Sequence, residues 1–207
     1  MGAYESIKDL ADKHSLQLGS QIAKRVTEME QDDNSHYLLY KVLGIAEEEG
    51  RLIDVYQNKG RFLYKYAGAF LEDAAALCIK LKYPDAVKTR IANTQSSRPK
   101  TFEIDALNGQ DAIEIKWRDA TTDGDHIAKE HARVLNIKEA GYHPIRVMFY
   151  APNRAQAIKI QQKIKTIYTE MGGECHFAAD SWAFIEQYTG IDLLEILEMI
   201  GSEKTGG

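Results

Sequence analysis

Cysteine and proline are scarce in this chain of 207 residues, at two and four. Cys78 and Cys175 lie far apart and neither has a second cysteine nearby, so neither a disulfide framework nor a zinc knuckle is encoded. Long apolar runs are missing: none approaches the roughly 18 to 20 residues a spanning helix needs, so no membrane partner is expected. The opening MGAYESIKDL is polar and lacks the apolar centre of a signal peptide, which makes a cytoplasmic location the expectation. Glycine-rich phosphate loops and a GxSxG elbow are also absent, leaving P-loop, kinase and serine-hydrolase chemistry without support.

What is present matches an ordinary globular protein: 44% hydrophobic and 28% charged residues, expected to form one domain over 1–207. The net charge of -5, with a pI near 5.7, argues at first against an anionic partner. The charge is unevenly spread. Residues 1–58 carry -5 and 170–207 carry -7, whereas 80–118 carry +3 and 141–169 carry +5 with no acid. The acidity lies at the two ends and the middle is basic.

Apolar spacing predicts helices over the first third, through Ile7, Leu10, Leu18, Ile22 and Val26 with a break near His14 to Gly19. A second helix follows from Asn34 or Ser35 through Ile45, ended by Gly50. After a polar turn at Asn58-Lys59-Gly60, a third helix is expected over Arg61 to Leu81. The period then changes. Ala86 to Ala92 reads as a short strand, and Phe102 to Leu107 and Ala112 to Trp117 alternate between apolar and polar around Asn108-Gly109, a hairpin signal. A helix over His126 to Ala140, a buried strand over Ile145 to Tyr150, a basic helix over Arg154 to Met171 and a strand over Glu174 to Phe177 complete the middle. Two acidic helices, Asp180 to Tyr188 and Ile191 to Ile200, precede a tail expected to fray.

Strand alternation puts Glu114 and Lys116 on one face of the hairpin with Glu103 and Asp105, and Ile113, Ile115 and Trp117 on the other with Phe102 and Ile104. A two-residue loop places Asp105 diagonal to Glu114; a four-residue loop from Asn108 to Asp111 places them directly opposite. Two adjacent carboxylates call for a compensating cation, and hard oxygen ligands suit Mg²⁺, with Mn²⁺ as a substitute. The same alternation also fits a solvent-facing hairpin in which Glu103 or Glu114 pairs with Lys116.

Asp105, a short connection and Glu114-Ile115-Lys116 resemble the D…(D/E)xK signature of the PD-(D/E)xK nuclease superfamily, to which most type II restriction endonucleases belong. The order of elements is similar as well: helix, three-strand meander carrying the motif, helix, fourth strand. The resemblance implies an α/β fold, a restriction-endonuclease-like core with a central mixed β-sheet flanked by helices. The core spans 60–150, with a helical addition at 1–58 and C-terminal helices at 151–207. Ile104 stands where the superfamily name has proline. Glu72 looks like the glutamate that members often carry on the first core helix, although the solvated side of an amphipathic helix would read the same. The stretch Glu103 to Arg133 is also similar to restriction enzymes of the ApaLI type.

The resemblance implies a type II restriction endonuclease hydrolysing double-stranded DNA at a short site, a homodimer because palindromic sites favour two-fold symmetry. Asp105, Glu114 and the Ile115 carbonyl would hold Mg²⁺, Lys116 would position the nucleophile, and Glu72 would assist. Candidates for DNA contact lie in two polar loops: Asn93, Gln95, Ser97, Arg98 and Lys100 in one, Arg118, Asp119, Thr121, Thr122 and His126 in the other. Lys159, Lys163 and Lys165 are candidates for phosphate contact. His126 and Glu130, four apart, make a weaker metal pair. A structure-selective nuclease of junction or repair type, or a non-catalytic binding domain, are the alternatives.

Overall fold

A computed structural model of the chain describes residues 2–95, 98–119 and 121–206. Two compact units divide it, one built from residues 8–70 and the other from 1–7 with 71–207.

The 8–70 unit is helical. It holds most of α1 (Ala3–Glu30), all of α2 (Tyr37–Val42) and the first part of α3 (Glu47–Lys82). Three sequence expectations fail here, each for a visible reason. The expected break at His14 to Gly19 is absent: α1 is continuous, and His14 meets Tyr66 and Phe70 edge-on. Gly50 does not end a helix but lies within α3, where a Cβ would fall 2.5 Å from the Tyr40 ring. Close approach, not termination, is what selects glycine there. Gly44, at φ +83°, follows α2 instead. Asn58-Lys59-Gly60 is no turn either; Asn58 donates to the Asp54 carbonyl one turn back and accepts from Arg25, so its side chain is satisfied inside the helix.

The larger unit is α/β. Its five-stranded sheet runs in the order β1 (Val87–Ala92), β2 (Thr101–Asn108), β3 (Asp111–Arg118), β4 (His143–Tyr150), β5 (Glu174–Phe177). The first three strands form an antiparallel meander, and β4 and β5 add in parallel. The crossover from β3 to β4 is α4 (Asp125–Glu139), and that from β4 to β5 is α5 (Ala155–Glu170). Ile137 of α4 packs on Ile104 and Ala112 of the sheet, and Val134 packs on Ile160, Ile164 and Tyr168 of α5. Both helices thus pack on the sheet and on each other, α5 reaching β5 at Cys175. The tail expected to fray is helical: after α6 (Ala179–Thr189), α7 (Leu193–Thr205) starts at Asp192, whose carboxylate accepts from the Glu195 N–H, and runs through Gly201. Among the described residues no helix is long and apolar enough to cross a membrane.

The hairpin register is decided at its turn. Asn108 pairs with Asp111, leaving Gly109-Gln110 as the loop, and Leu107 pairs with Ala112. This is the register of the longer loop considered above. Tyr188 of α6 clamps it: Asn108 donates to the Tyr188 hydroxyl at 2.8 Å, which donates to Asp111 at 2.7 Å. Strict alternation does not survive along β2. Between Val87↔Leu107 and Thr89↔Ile104, β1 advances two residues and β2 three, so β2 carries one extra residue at Asp105-Ala106. Ile104 therefore packs with Ala112 and Ile137, where unbroken alternation had expected it with Ile113 and Ile115.

Candidate active site

The bulge falls on Asp105, and the β2–β3 ladder ends one pair before it, at Ala106↔Ile113. Beyond that pair the Asp105 carboxylate takes the place of a strand: its Oδ2 accepts from the Ile115 N–H at 2.8 Å. Its Oδ1 faces the Lys88 ammonium at 3.5 Å. Glu114, on the central strand, is 3% exposed. Its Oε1 lies 2.6 Å from the Lys116 ammonium and its Oε2 2.6 Å from an Arg133 guanidinium nitrogen. Glu72, in the last third of α3 within the larger unit, accepts from the Trp117 N–H at 3.3 Å. The four side chains named from the sequence as catalytic act on one another electrostatically: Asp105 and Lys116 on Glu72, Asp105 and Lys116 on Glu114, and all three carboxylates on Lys116.

Burial pushes the Glu114 carboxyl above the ordinary range, opposed by Arg133 and Lys116. Burial also raises Glu72, against the pull of Lys116. Lys116 shows the reverse balance: burial would lower it, but Glu114, Asp105 and Glu72 together outweigh burial and hold its proton more tightly than usual. Clusters of paired and unevenly shifted groups are found at chemical sites and in buried ion-pair networks alike.

Arg133 opens a second layer. Its Nε donates to Glu130 at 3.3 Å, and the other Glu130 oxygen accepts from Arg146 at 3.1 Å. Arg146 donates in turn to Asp119 at 2.8 Å, and His126 meets the same Asp119 oxygen at 2.6 Å. An alternating row of charges therefore runs from Glu114 through α4 and β4 to Asp119 and His126. Sequence reasoning missed Arg133 and Arg146 and gave Glu130 a different part. The signal was Arg146 itself, the one charge in the apolar run Ile145 to Phe149: a charge in a buried strand needs partners. Glu130 spends both oxygens on arginines rather than on a metal shared with His126.

The candidate DNA contacts divide. Asn93 ties its own loop, donating to the Pro99 carbonyl and accepting from Gln95 N–H and Asn136. Gln95 donates to Glu139 and, with Arg98, lines a cleft beside Asp125, Lys129 and His131 of α4. Arg98, Lys100 and Thr122 are exposed. Arg118 donates to Asn153, Thr121 sits between Asp119 and Asp123, and Asp119 and His126 turn inward to Arg146. Ser97 lies outside the described residues. Lys159, Lys163 and Lys165 are exposed on α5. The charges acting most on Glu114 and Lys116 come from β2, β3, α3 and α4.

Among the described residues no group of three or more His, Cys, Asp or Glu side chains gathers as a metal site. The set at hand is smaller, two carboxylates and the Ile115 carbonyl. It fits a hard divalent cation in its chemistry, being all oxygen, with one oxygen of each carboxylate turned to a lysine ammonium where positive charge is called for.

Of the comparisons with known proteins, one gives a match: the profile of the ApaLI-like restriction endonucleases matches residues 1–202. No curated protein and no solved structure matches the chain.

Proposed function

The chain belongs to the ApaLI-like restriction endonuclease family, which cleaves DNA site-specifically, and we propose that it does so by Mg²⁺-dependent hydrolysis of phosphodiester bonds at Asp105, Glu114 and Lys116. The five-stranded mixed sheet flanked by helices is the fold that membership calls for. The observation that carries the proposal is the convergence of Asp105, Glu114 and Lys116 where β2 and β3 part, with Glu72 beside them.

Asp105 Oδ1, Glu114 Oε1 and the Ile115 carbonyl would hold Mg²⁺, with Mn²⁺ able to substitute. When bound, the ion polarises the phosphate and acidifies water. The protein supplies the rest. The Ile115 N–H fixes the Asp105 carboxylate, so one oxygen is committed to the backbone and the other is presented outward. Lys116 reaches the same point as Glu114 Oε1 and, as an ammonium, donates to the attacking water or to a phosphate oxygen, stabilising charge that grows during the reaction. Glu72, held by the Trp117 N–H, is placed to accept a proton or orient a second water.

Specific reading falls to the segments 93–100 and 118–126, whose exposed Gln95, Arg98, Lys100 and Thr122 suit base edges and phosphates, and the basic segment 141–169 adds charge for the backbone. A homodimer follows from the two-fold symmetry of a palindromic site.

Purified protein incubated with plasmid DNA and Mg²⁺ should yield discrete fragments, and excess chelator should abolish them. Inactivity on varied DNA in both Mg²⁺ and Mn²⁺ would sink the reading, and cleavage confined to branched DNA would move it to a structure-selective nuclease.

A further inference from the structure

Glu114 is gripped by two cations of different character. Lys116 reaches it from the same strand on a flexible stem, its side chain 30% exposed. Arg133 reaches it from α4, its side chain 9% exposed and held by several partners. One guanidinium nitrogen donates to both Glu114 Oε2 at 2.6 Å and the Glu103 carbonyl at 2.8 Å. Nε donates to Glu130, and the guanidinium lies over the Phe102 ring, 5.1 Å from its centroid. The terminal torsion of a glutamate is broad, so strand geometry alone does not decide which carboxylate oxygen faces outward. The guanidinium does decide it, because its fork is planar and its position is fixed by β2, α4 and an aromatic face.

We propose that Arg133 is a positioning residue for metal binding: it pins Glu114 Oε2 toward α4 and so presents Oε1, beside Lys116, to the ion. The inference rests on the reading that Glu114 is a metal ligand. The anchor is itself anchored, since Glu130 is held by Arg146 and Arg146 by Asp119. Partners that orient a ligand from behind commonly govern metal affinity as strongly as some ligands do.

The test compares Arg133→Met, Arg133→Lys and Glu114→Gln with the wild type. Free Mn²⁺ is counted by electron paramagnetic resonance during titration, folding is checked by thermal melting, and kcat and KM are measured on a mapped DNA site. Arg133→Met should weaken Mn²⁺ binding about ten- to a hundredfold and lower kcat with KM for DNA unchanged. Arg133→Lys keeps the charge and loses the fork, and should fall between wild type and Arg133→Met. If the methionine variant does not fold, the lysine variant carries the test, with weakened Mn²⁺ binding expected in a folded protein. Wild-type Mn²⁺ affinity in either folded variant, alongside its loss in Glu114→Gln, overturns the role of Arg133 alone. Unchanged affinity in Glu114→Gln overturns the ligand reading and this inference with it.

Discussion

Truncating Lys116 to alanine is expected to slow single-turnover DNA cleavage by about 10²- to 10³-fold in a protein that still folds. The ammonium lies 2.6 Å from Glu114 and within the fields of Asp105 and Glu72, the point where charge would develop in the proposed hydrolysis. The variant isolates chemistry from stability because Glu114 keeps its Arg133 partner at 2.6 Å. Glu114 is buried but keeps one of its two cations, so the stability cost should be about 1 to 3 kcal/mol. Glu114→Gln is a blunter probe, since it leaves Arg133 buried against a neutral amide. Rates measured on a fragment carrying a mapped site check the expectation; a Lys116→Ala rate within about threefold of wild type would remove the lysine from the mechanism.

The second large effect concerns folding. Arg146 is fully buried, the largest side chain in that state, and bridges Glu130 and Asp119. Arg146→Met should cost about 3 to 5 kcal/mol, because it strands buried carboxylates instead of removing a whole ion pair. For a chain of this size that is a fall of roughly 6 to 20 °C in thermal midpoint. The pH dependence has a definite sign. Burial pushes Asp119 and Glu130 up, but the His126 hydrogen bond and Arg146 for Asp119, and Arg146 and Arg133 for Glu130, hold both below the ordinary carboxylate range. Groups with depressed folded values stabilise fully above the unfolded value near ~4 and lose that contribution as pH falls through the folded value. The gap between wild type and Arg146→Met should therefore be widest near neutrality and narrow in acid. Urea unfolding at several pH values measures it, and a pH-independent gap would show that packing, not charge, accounts for the loss.

What could be read in advance follows physical range. The juxtaposition of Asp105, Glu114 and Lys116 was legible because period-two alternation and an Asn-Gly turn signal act over a few residues, and the element order from α3 to β4 followed from changes of period. Register was legible only as two alternatives. The choice depends on Tyr188, which grips the turn from some 80 residues away in sequence. The extra residue in β2 was invisible for a similar reason: a bulge is defined by its partner strand, here β1. Gly50 and Asn58-Lys59-Gly60 misled because glycine and asparagine have uses inside a helix, close approach to Tyr40 and bonding to Asp54, that resemble stop signals in a linear chain. The row Glu114, Arg133, Glu130, Arg146, Asp119 lies on β3, α4, β4 and a loop, so its members meet only when the crossover closes.

The central claim is that the metal ion acts where β2 and β3 part. Fe²⁺ loaded in place of Mg²⁺, with ascorbate and peroxide, cuts a polypeptide beside the bound ion, and mass spectrometry locates the cuts. The account predicts cuts near Asp105 and around Glu114 to Lys116, suppressed by excess Mg²⁺ and lost in Glu114→Gln. Mg²⁺-protected cuts elsewhere in the chain, with this hairpin intact, would contradict it.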